Sequence, residues 1–576
     1  MAETVAPETM IVPPLQDPGL PKPRSTASFW HSPPNSFLHA HRTTELLPTV
    51  AETVIIGSGI AGSMLFHNLH SIGLSNSTVM LEARNTCWGA TGRNGGHCKP
   101  MLYQANEFLD MCHIFGSDET IKRIRFEMLN FELIKNYVEG EKVDCEWVET
   151  PSADVFYEST PFEVAKKSVE ALTELASDIA AQLRIVEDPK ELCENLRTPT
   201  AVGAVVFKAG KLSPYKLVSH ILTKGVKSQG LNLQTRTPAT GVSRNEDGTW
   251  TVTTPRGSIT ANKVVFATNA HTSHLLPQFR GWIYPVRAQM SALIPPKSLK
   301  ERPLTHTYGL VRHSRKTACY LIQRPINADG SGGELMLGGG REFEFDKGVS
   351  LQDDGINQAV AQKLRSSIAG YFAGETGYAS EEISDDNRDL RKSFIEKFRR
   401  LKLGGTGYDV WDAAEGTGFF FDNRPQDVEK QVRDLQKDRE CKARMEWSGT
   451  MGFSRDERPF VGRVPAVSEE DSKRLEIPEM TSTKGLWMLA GFEGHGMAFT
   501  SGSAKALAEM ISASNANKKA EGVNEWFPQT FVVTPSRMGL TGEDPDDDEG
   551  WEELVKAEEW EIVDKLEGTE VVDVPN

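Results

Sequence analysis

The chain has 576 residues, 39% of them hydrophobic and 25% charged, with a formal net charge of −16; by size alone this allows two to four domains with a substantial core. The charge is local, because residues 543–576 hold 15 Asp or Glu against 2 Lys, so the remainder is close to balanced and shows no basic stripe of the kind nucleic acid requires. Seven cysteines without a C-x-x-C pair point neither to a disulfide framework nor to a zinc site, no metal site is expected, and no run of 18 apolar residues predicts a membrane span.

Residues 1–50 carry nine prolines. Segment 1–49 is expected to be largely disordered over its first ~25 residues, with Phe29, Trp30, Phe37 and Leu38 packing onto the domain ahead of its first strand. Met1–Pro7 lacks a basic, apolar leader, and Val574-Pro575-Asn576 is not a Ser-Lys-Leu type tail. The expected location is cytoplasmic, with peroxisomes left open by other routes.

The apolar strand Val54-Ile55-Ile56 then runs into Gly57-Ser58-Gly59-Ile60-Ala61-Gly62. A helical face of Ala61, Met64, Leu65, Leu69 and Ile72 comes next, and a second apolar run, Val79-Met80-Leu81, ends in Glu82. This is the strand, glycine turn, helix, strand, carboxylate order of a dinucleotide fold. Gly57 permits the tight turn, Gly59 admits a pyrophosphate and Gly62 lets helix and strand approach. The helix N-terminus at Ile60 and Ala61 offers N–H groups to phosphates. A carboxylate at Glu82 suits an adenosine with a free 2′-hydroxyl, hence FAD or NAD. Glu82-Ala83-Arg84 leads into Gly89-Ala90-Thr91-Gly92-Arg93-Asn94-Gly95-Gly96-His97, a second small-residue cluster suited to a ligand longer than NAD. There Arg93 can neutralise phosphate and Asn94 can donate to the flavin or the pyrophosphate.

Residues 116–195 read as helical, with Ile121, Ile124, Met128, Phe131 and Ile134 on one face. A hairpin from Trp250–Thr254 to Gly257–Thr260 precedes a strand at Lys263–His271, whose small residues, Thr268 among them, can pass close to a cofactor. Strands are expected at Met290–Ile294, Ala318–Ile322 and Glu334–Gly339. Residues 376–440 read as helices with a charged surface insertion, and the tail from 540 as solvated. Near the C-terminus, Gly485–Ala490 reads as a strand. It enters Gly491-Phe492-Glu493-Gly494-His495-Gly496-Met497, then a helix from Ala498 to Ile511 whose N-terminus can stabilise charge on a reduced flavin.

These three glycine-rich segments, in this order, resemble the D-amino acid oxidase-like family of FAD-dependent oxidoreductases over roughly residues 50–530. The Gly89–Gly96 stretch is most similar to the gamma-glutamylputrescine oxidase branch. The resemblance implies an α/β fold with a discontinuous Rossmann-type FAD-binding domain (50–112, 200–290 and 440–530). It also implies an α+β substrate domain carrying an antiparallel sheet (113–199 and 291–439), ahead of the acidic tail 540–576. It implies oxidation of an amine or amino acid by hydride transfer to flavin, O2 as the expected acceptor, and cofactor contacts from Gly57, Gly59, Ile60, Ala61, Gly62, Glu82, Ala83, Arg84, Arg93, Asn94, Gly95, Gly96, Thr268, Gly491, Gly494, His495, Gly496 and Met497.

Candidate catalytic residues are His97, Arg287 and His495. His97 and Cys98 are also weighed as covalent flavin links, against a loop simply packed under the ring. Arg287 can grip a substrate carboxylate bidentately or form an interdomain ion pair, and Arg341, after three glycines, is a further candidate to reach the pocket. Three other readings stay open: a flavin oxidoreductase acting on a non-amine metabolite, a non-catalytic FAD-binding scaffold, and an NAD-dependent dehydrogenase. Oligomeric state is not readable from the sequence.

Overall fold

The computed structural model describes residues 16–103, 108–312, 318–372 and 441–541, except 517 and 519. The expected insertion over 376–440 and the acidic tail from 542 lie outside the described residues.

The first sheet is built on β1 (Val50–Ile56), whose neighbours β2 (Thr78–Leu81) and β10 (Gly257–Phe266) both run parallel to it. β7 (Asn232–Gln234) extends the β2 side. β17 (Leu486–Ala490) extends the β10 side, with β16 (Phe460–Arg463) antiparallel at the edge. β8 (Gly241–Arg244) and β9 (Trp250–Thr254) form the expected hairpin with β10. The central strands are apolar on both faces, as a helix-covered parallel sheet requires: Val54, Ile55, Val264, Val265, Leu486 and Met488 are all fully buried. Helix α1 (Ile60–Ser71) crosses from β1 to β2 and packs against the C-terminal helix Gly496–Asn515.

Register fixes the site. Ile56 pairs with both Leu81 and Phe266, and Phe266 pairs with Met488. The segments after these strands therefore leave one edge of the sheet together, at the carboxyl ends where doubly wound folds bind ligands.

The second sheet has nine strands, in the order β15 (Ala443–Ser454), β11 (Ile283–Leu293), β14 (Leu335–Gly338), β13 (Cys319–Gln323), β12 (Thr307–Val311), β4 (Val148–Phe156), β6 (Gly203–Lys211) and β3 (His97–Cys98), with β5 (Arg184–Val186) on β6. Every pair is antiparallel except β12 with β4.

Three expectations change. The stretch 116–195 is not all helix: Ser117–Gly140 and Ser159–Leu175 are helical, but β4 and β5 interrupt them. β4 ends in Ala153-Asp154-Val155-Phe156, buried on both faces, so pairing with β6 and β12 decides its structure where helical periodicity does not. Sheet membership also moves β3, β6, β15 and most of β11 out of the cofactor layer. Finally, segment 1–49, expected to be largely disordered over its first ~25 residues, is described from residue 16 on; Trp30 and Leu38, expected to pack, are buried, and His31 with them.

Candidate functional site

At the end of β1, Gly57 has φ +118, and an added Cβ would overlap the carbonyl of Ala267, the residue just past β10. At Gly62 it would overlap the Gly57 carbonyl oxygen and lie 3.3 Å from Ile55 Cγ2. Both glycines hold the turn closed. Gly59 differs: its added Cβ would meet only Thr91, at 3.1 Å from Oγ1, so space lies in front of the helix. Gly59 caps α1 without a side chain, and Ile60 N donates to Thr91 Oγ1 at 3.1 Å. Gly57, Gly59, Thr91, Asn94 and Thr268 stay half-buried beside fully buried strands. This is a cradle of free backbone at a helix N-terminus, the donor set a pyrophosphate takes.

Glu82, after β2, is buried. Its Oε2 accepts from Ser58 N at 3.2 Å and Ser58 Oγ at 2.7 Å, and its Oε1 accepts from Arg84 N at 2.8 Å. A carboxylate oxygen accepts two hydrogen bonds, so Oε1 retains capacity for a ribose hydroxyl. The residues fit FAD at both its pyrophosphate and its adenosine end, with Ala83 half-buried alongside.

The second cluster forms a single 3₁₀ turn, Ala90–Arg93, then reaches Asn94, whose Oδ1 accepts from Gly96 N at 2.9 Å. An added Cβ at Gly95 would lie 2.8 Å from the Tyr320 ring, and one at Gly96 (φ +78) would lie 2.6 Å from the Leu212 carbonyl oxygen. Only glycines let this loop lie under the second sheet. Arg93, expected at the phosphates, and Arg84, expected to touch the cofactor, share one buried carboxylate that the local sequence does not announce. Asp353 binds Arg84 bidentately at 2.9 and 3.0 Å and Arg93 Nε at 3.1 Å.

His97 sits edge-on to Tyr320, ring centroids 5.6 Å apart. Burial and nearby Lys99 lower its pKa to about 3, so it is neutral at ordinary pH. Cys98 is 1% exposed and burial pushes its thiol up strongly, which disfavours the thiolate a covalent link needs.

The third cluster leaves β17 through Gly491, Glu493 and Gly494, all at positive φ (+72, +52 and +72), and enters helix α2 (Gly496–Asn515). Asn269, one residue past Thr268, organises this turn: its Oδ1 accepts from Gly491 N at 3.0 Å and Phe492 N at 3.3 Å. Gly494 faces Met451 of β15, an added Cβ lying 3.0 Å from its sulfur. His495 is exposed, its Nδ1 bonded to the Glu493 carbonyl at 3.0 Å, while Met497 is buried in the core.

Beside this turn lies a polar and aromatic corner. Phe453 on β15 meets the Tyr284 ring at 6.3 Å, and the Arg341 guanidinium stacks over it at 4.9 Å. Arg287 turns away and forms a bidentate pair with Glu344 at 3.1 and 3.0 Å. Arg341 donates from Nε to the Lys347 carbonyl at 3.2 Å; burial lowers its pKa, while Glu493 and Glu342 act in the opposite direction without forming an ion pair with it. The structure thus brings the three glycine clusters together at one sheet edge, sends Arg287 to a structural pair, and places Arg341 at the corner.

A family model described as FAD dependent oxidoreductase matches residues 52–384 and 377–510. The chain belongs to that family. FAD is accordingly its cofactor and oxidoreduction its chemistry. Among curated relatives, dimethylglycine dehydrogenase of Rattus norvegicus is 27% identical over 226 residues, 38% of this chain but 23% of the relative. The match thus spans under a quarter of that protein. Among solved structures, glycine oxidase from Geobacillus kaustophilus (TM-score 0.50, 15% identity, covering 81% of this chain and 95% of that one) shares the fold. So does L-amino acid deaminase from Proteus myxofaciens (TM-score 0.51, 15% identity, covering 88% and 96%). Among the described residues no helix is long and apolar enough to cross a membrane.

Proposed function

We propose that this FAD-dependent oxidoreductase oxidises the carbon–nitrogen bond of a small amine or amino acid, the imine product being hydrolysed in water and O2 taking the electrons. The observation that carries the reading is Arg341. A guanidinium held over Phe453, in the field of Glu493 and Glu342 but in no ion pair with either, stands beside the Gly491–Met497 turn and suits a carboxylate-bearing substrate. Relatives named for dimethylglycine and glycine oxidation support the same class, and the likeness of Gly89–Gly96 to the gamma-glutamylputrescine oxidase branch is compatible with it.

Bound FAD supplies the hydride acceptor. The chain's own residues do the rest. Gly59, Ile60 and Ala61 would present backbone to the pyrophosphate, Glu82 would receive the ribose, and the N-terminus of α2 would favour negative charge on the flavin. Tyr284 and Tyr320 narrow the corner, and burial raises both phenols, so they stay protonated and each keeps an O–H from which a substrate could accept a hydrogen bond. His97 is neutral and packs under the loop rather than moving a proton.

The test is turnover of an amine and amino-acid panel, following hydrogen peroxide and the carbonyl product together. Peroxide with carbonyl product from one substrate class, lost in Arg341→Met, supports the proposal. A flavin-loaded enzyme that oxidises only a non-amine substrate would replace it, and one inert toward every donor would favour the scaffold reading.

A further inference from the structure

The family match begins at residue 52, yet the loop expected to lie along the flavin is fastened by residues that precede it. Ser28 Oγ donates to the Gly92 carbonyl at 2.7 Å and Trp30 Nε1 to the Asn94 carbonyl at 2.7 Å. The His31 ring stacks on Trp88 at 3.9 Å. Arg93 reaches back into the same segment: Nη1 donates to the Thr26 carbonyl at 2.9 Å and to Thr26 Oγ1 at 3.1 Å, and Nη2 to Ser25 Oγ at 2.6 Å. Nη1 also donates to the Ser448 carbonyl of β15 at 2.9 Å. Asp353 closes the node: its carboxylate holds Arg93 and Arg84, and its carbonyl accepts from Thr26 N at 2.9 Å. Trp447 Nε1 donates to the Arg93 carbonyl at 2.8 Å. Arg93 and Asp353 are 2% and 1% exposed.

We infer that residues 25–31, together with Arg93 and Asp353, are a positioning element of the cofactor site: they set the Asn94-Gly95-Gly96 loop against the flavin. The inference rests on the FAD reading of that loop. The fork geometry of Arg93 decides it. One planar guanidinium with five N–H donors ties three separate chain segments, the strap at 25–26, the Trp88 carbonyl and β15, to the root of the loop. A lysine keeps the charge but not the fork. The strap is thereby a wall of the site built by residues ahead of the family-matched region; Asp353 couples that wall to Arg84, just past β2, and Arg93 couples it to the second sheet at Ser448.

The experiment compares wild type, Ser25→Ala/Thr26→Val, Arg93→Lys and Asp353→Asn as full-length holoproteins. Three quantities are read: the rate of FAD release by recovery of flavin fluorescence, the visible circular dichroism of bound flavin, and thermal unfolding of each apoprotein. Losing the bonds of one guanidinium arm should speed FAD release by about tenfold. It should also change the visible flavin dichroism in Ser25→Ala/Thr26→Val and in Arg93→Lys alike. Should Asp353→Asn fail to fold, the strap variant still decides, since it leaves the buried ion pairs intact. Unchanged release and unchanged dichroism in a folded strap variant would overturn the inference. A wild-type protein that takes up no FAD would overturn the cofactor reading instead, and the two failures are distinguishable.

Discussion

Gly62→Ala and Gly59→Ala separate what the glycines do for the fold from what they do for the cofactor. At Gly62 a methyl would overlap the Gly57 carbonyl oxygen, a backbone atom that cannot swing aside, and would also press on Ile55 Cγ2 at 3.3 Å. Overpacking of this kind costs about 1–3 kcal/mol, offset by roughly 1 kcal/mol of better helix propensity for alanine. The apoprotein should therefore lose up to about 2 kcal/mol, and the displaced turn should weaken FAD binding as well. At Gly59 the backbone is ordinary (φ −72) and the methyl meets only the Thr91 hydroxyl, so the apoprotein should stay within about 0.5 kcal/mol of wild type. Its cost falls on the pyrophosphate space, and Gly59→Glu, which adds a charge there, should abolish binding. Denaturant unfolding of apoprotein and FAD titration read the two effects apart. FAD at about 100 times its Kd stabilises wild type by about 2.7 kcal/mol, and Gly59→Glu should show none of this. A yellow, fully flavinylated Gly59→Glu variant, or a Gly62→Ala apoprotein as stable as wild type, would refute the placement of the cofactor.

Other outcomes rest on the same geometry. Burial holds His31, His97 and His271 neutral, with pKa values near about 3, about 3 and about 4 against an ordinary 6.5. The unfolded chain therefore binds more protons below pH 6.5, and stability should fall as pH drops through 6; a denaturant midpoint flat from pH 7.5 to 5 would contradict this. At Asp456 burial acts upward, but Arg537 and Arg458 outweigh it and hold the carboxyl far below 3.8. Its stabilisation is present above pH 3.8 and lost below, so the stability gap between wild type and Asp456→Asn should be wide at pH 7 and narrow toward pH 2. Arg341→Met should lower kcat/KM for carboxylate substrates by about 100-fold, the scale of a charged hydrogen-bond pair, with FAD retained. Arg287→Met should instead lower stability, because it leaves Glu344, 5% exposed, without its ion pair; equal kinetic damage from both would contradict the assignment.

The cofactor cradle was legible because its parts are contiguous: one strand, one turn, one helix and one carboxylate fall within residues 50–82, and each element carries its own periodicity. Asn269, Asp353 and Tyr320 were not legible as site residues. Asp353 meets Arg84 across 269 positions, and nothing local in Gln352-Asp353-Asp354 announces a buried acid. Separation along the chain also hid the partners of Arg93 and Arg287, the latter 57 positions away, so Arg93 read as a phosphate contact and Arg287 as either a carboxylate clamp or an interdomain ion pair with no partner named. β4 was misread because its apolar end is covered on both faces, which erases the alternation that marks a strand. The strap was legible only in part: Phe29 and Trp30 read as packing residues, but its binding groups, Ser25, Thr26, Ser28 and the Trp30 indole, act one at a time without a period.

The measurement that tests the central claim most directly is the visible spectrum of FAD-loaded protein under anaerobic titration with single amines and amino acids, repeated on the supernatant after acid precipitation. The account predicts a yellow protein that releases its flavin into the supernatant and is bleached by one carboxylate-bearing amine. A protein that cannot be loaded with FAD, or a loaded one that no amine or amino acid bleaches, would contradict it.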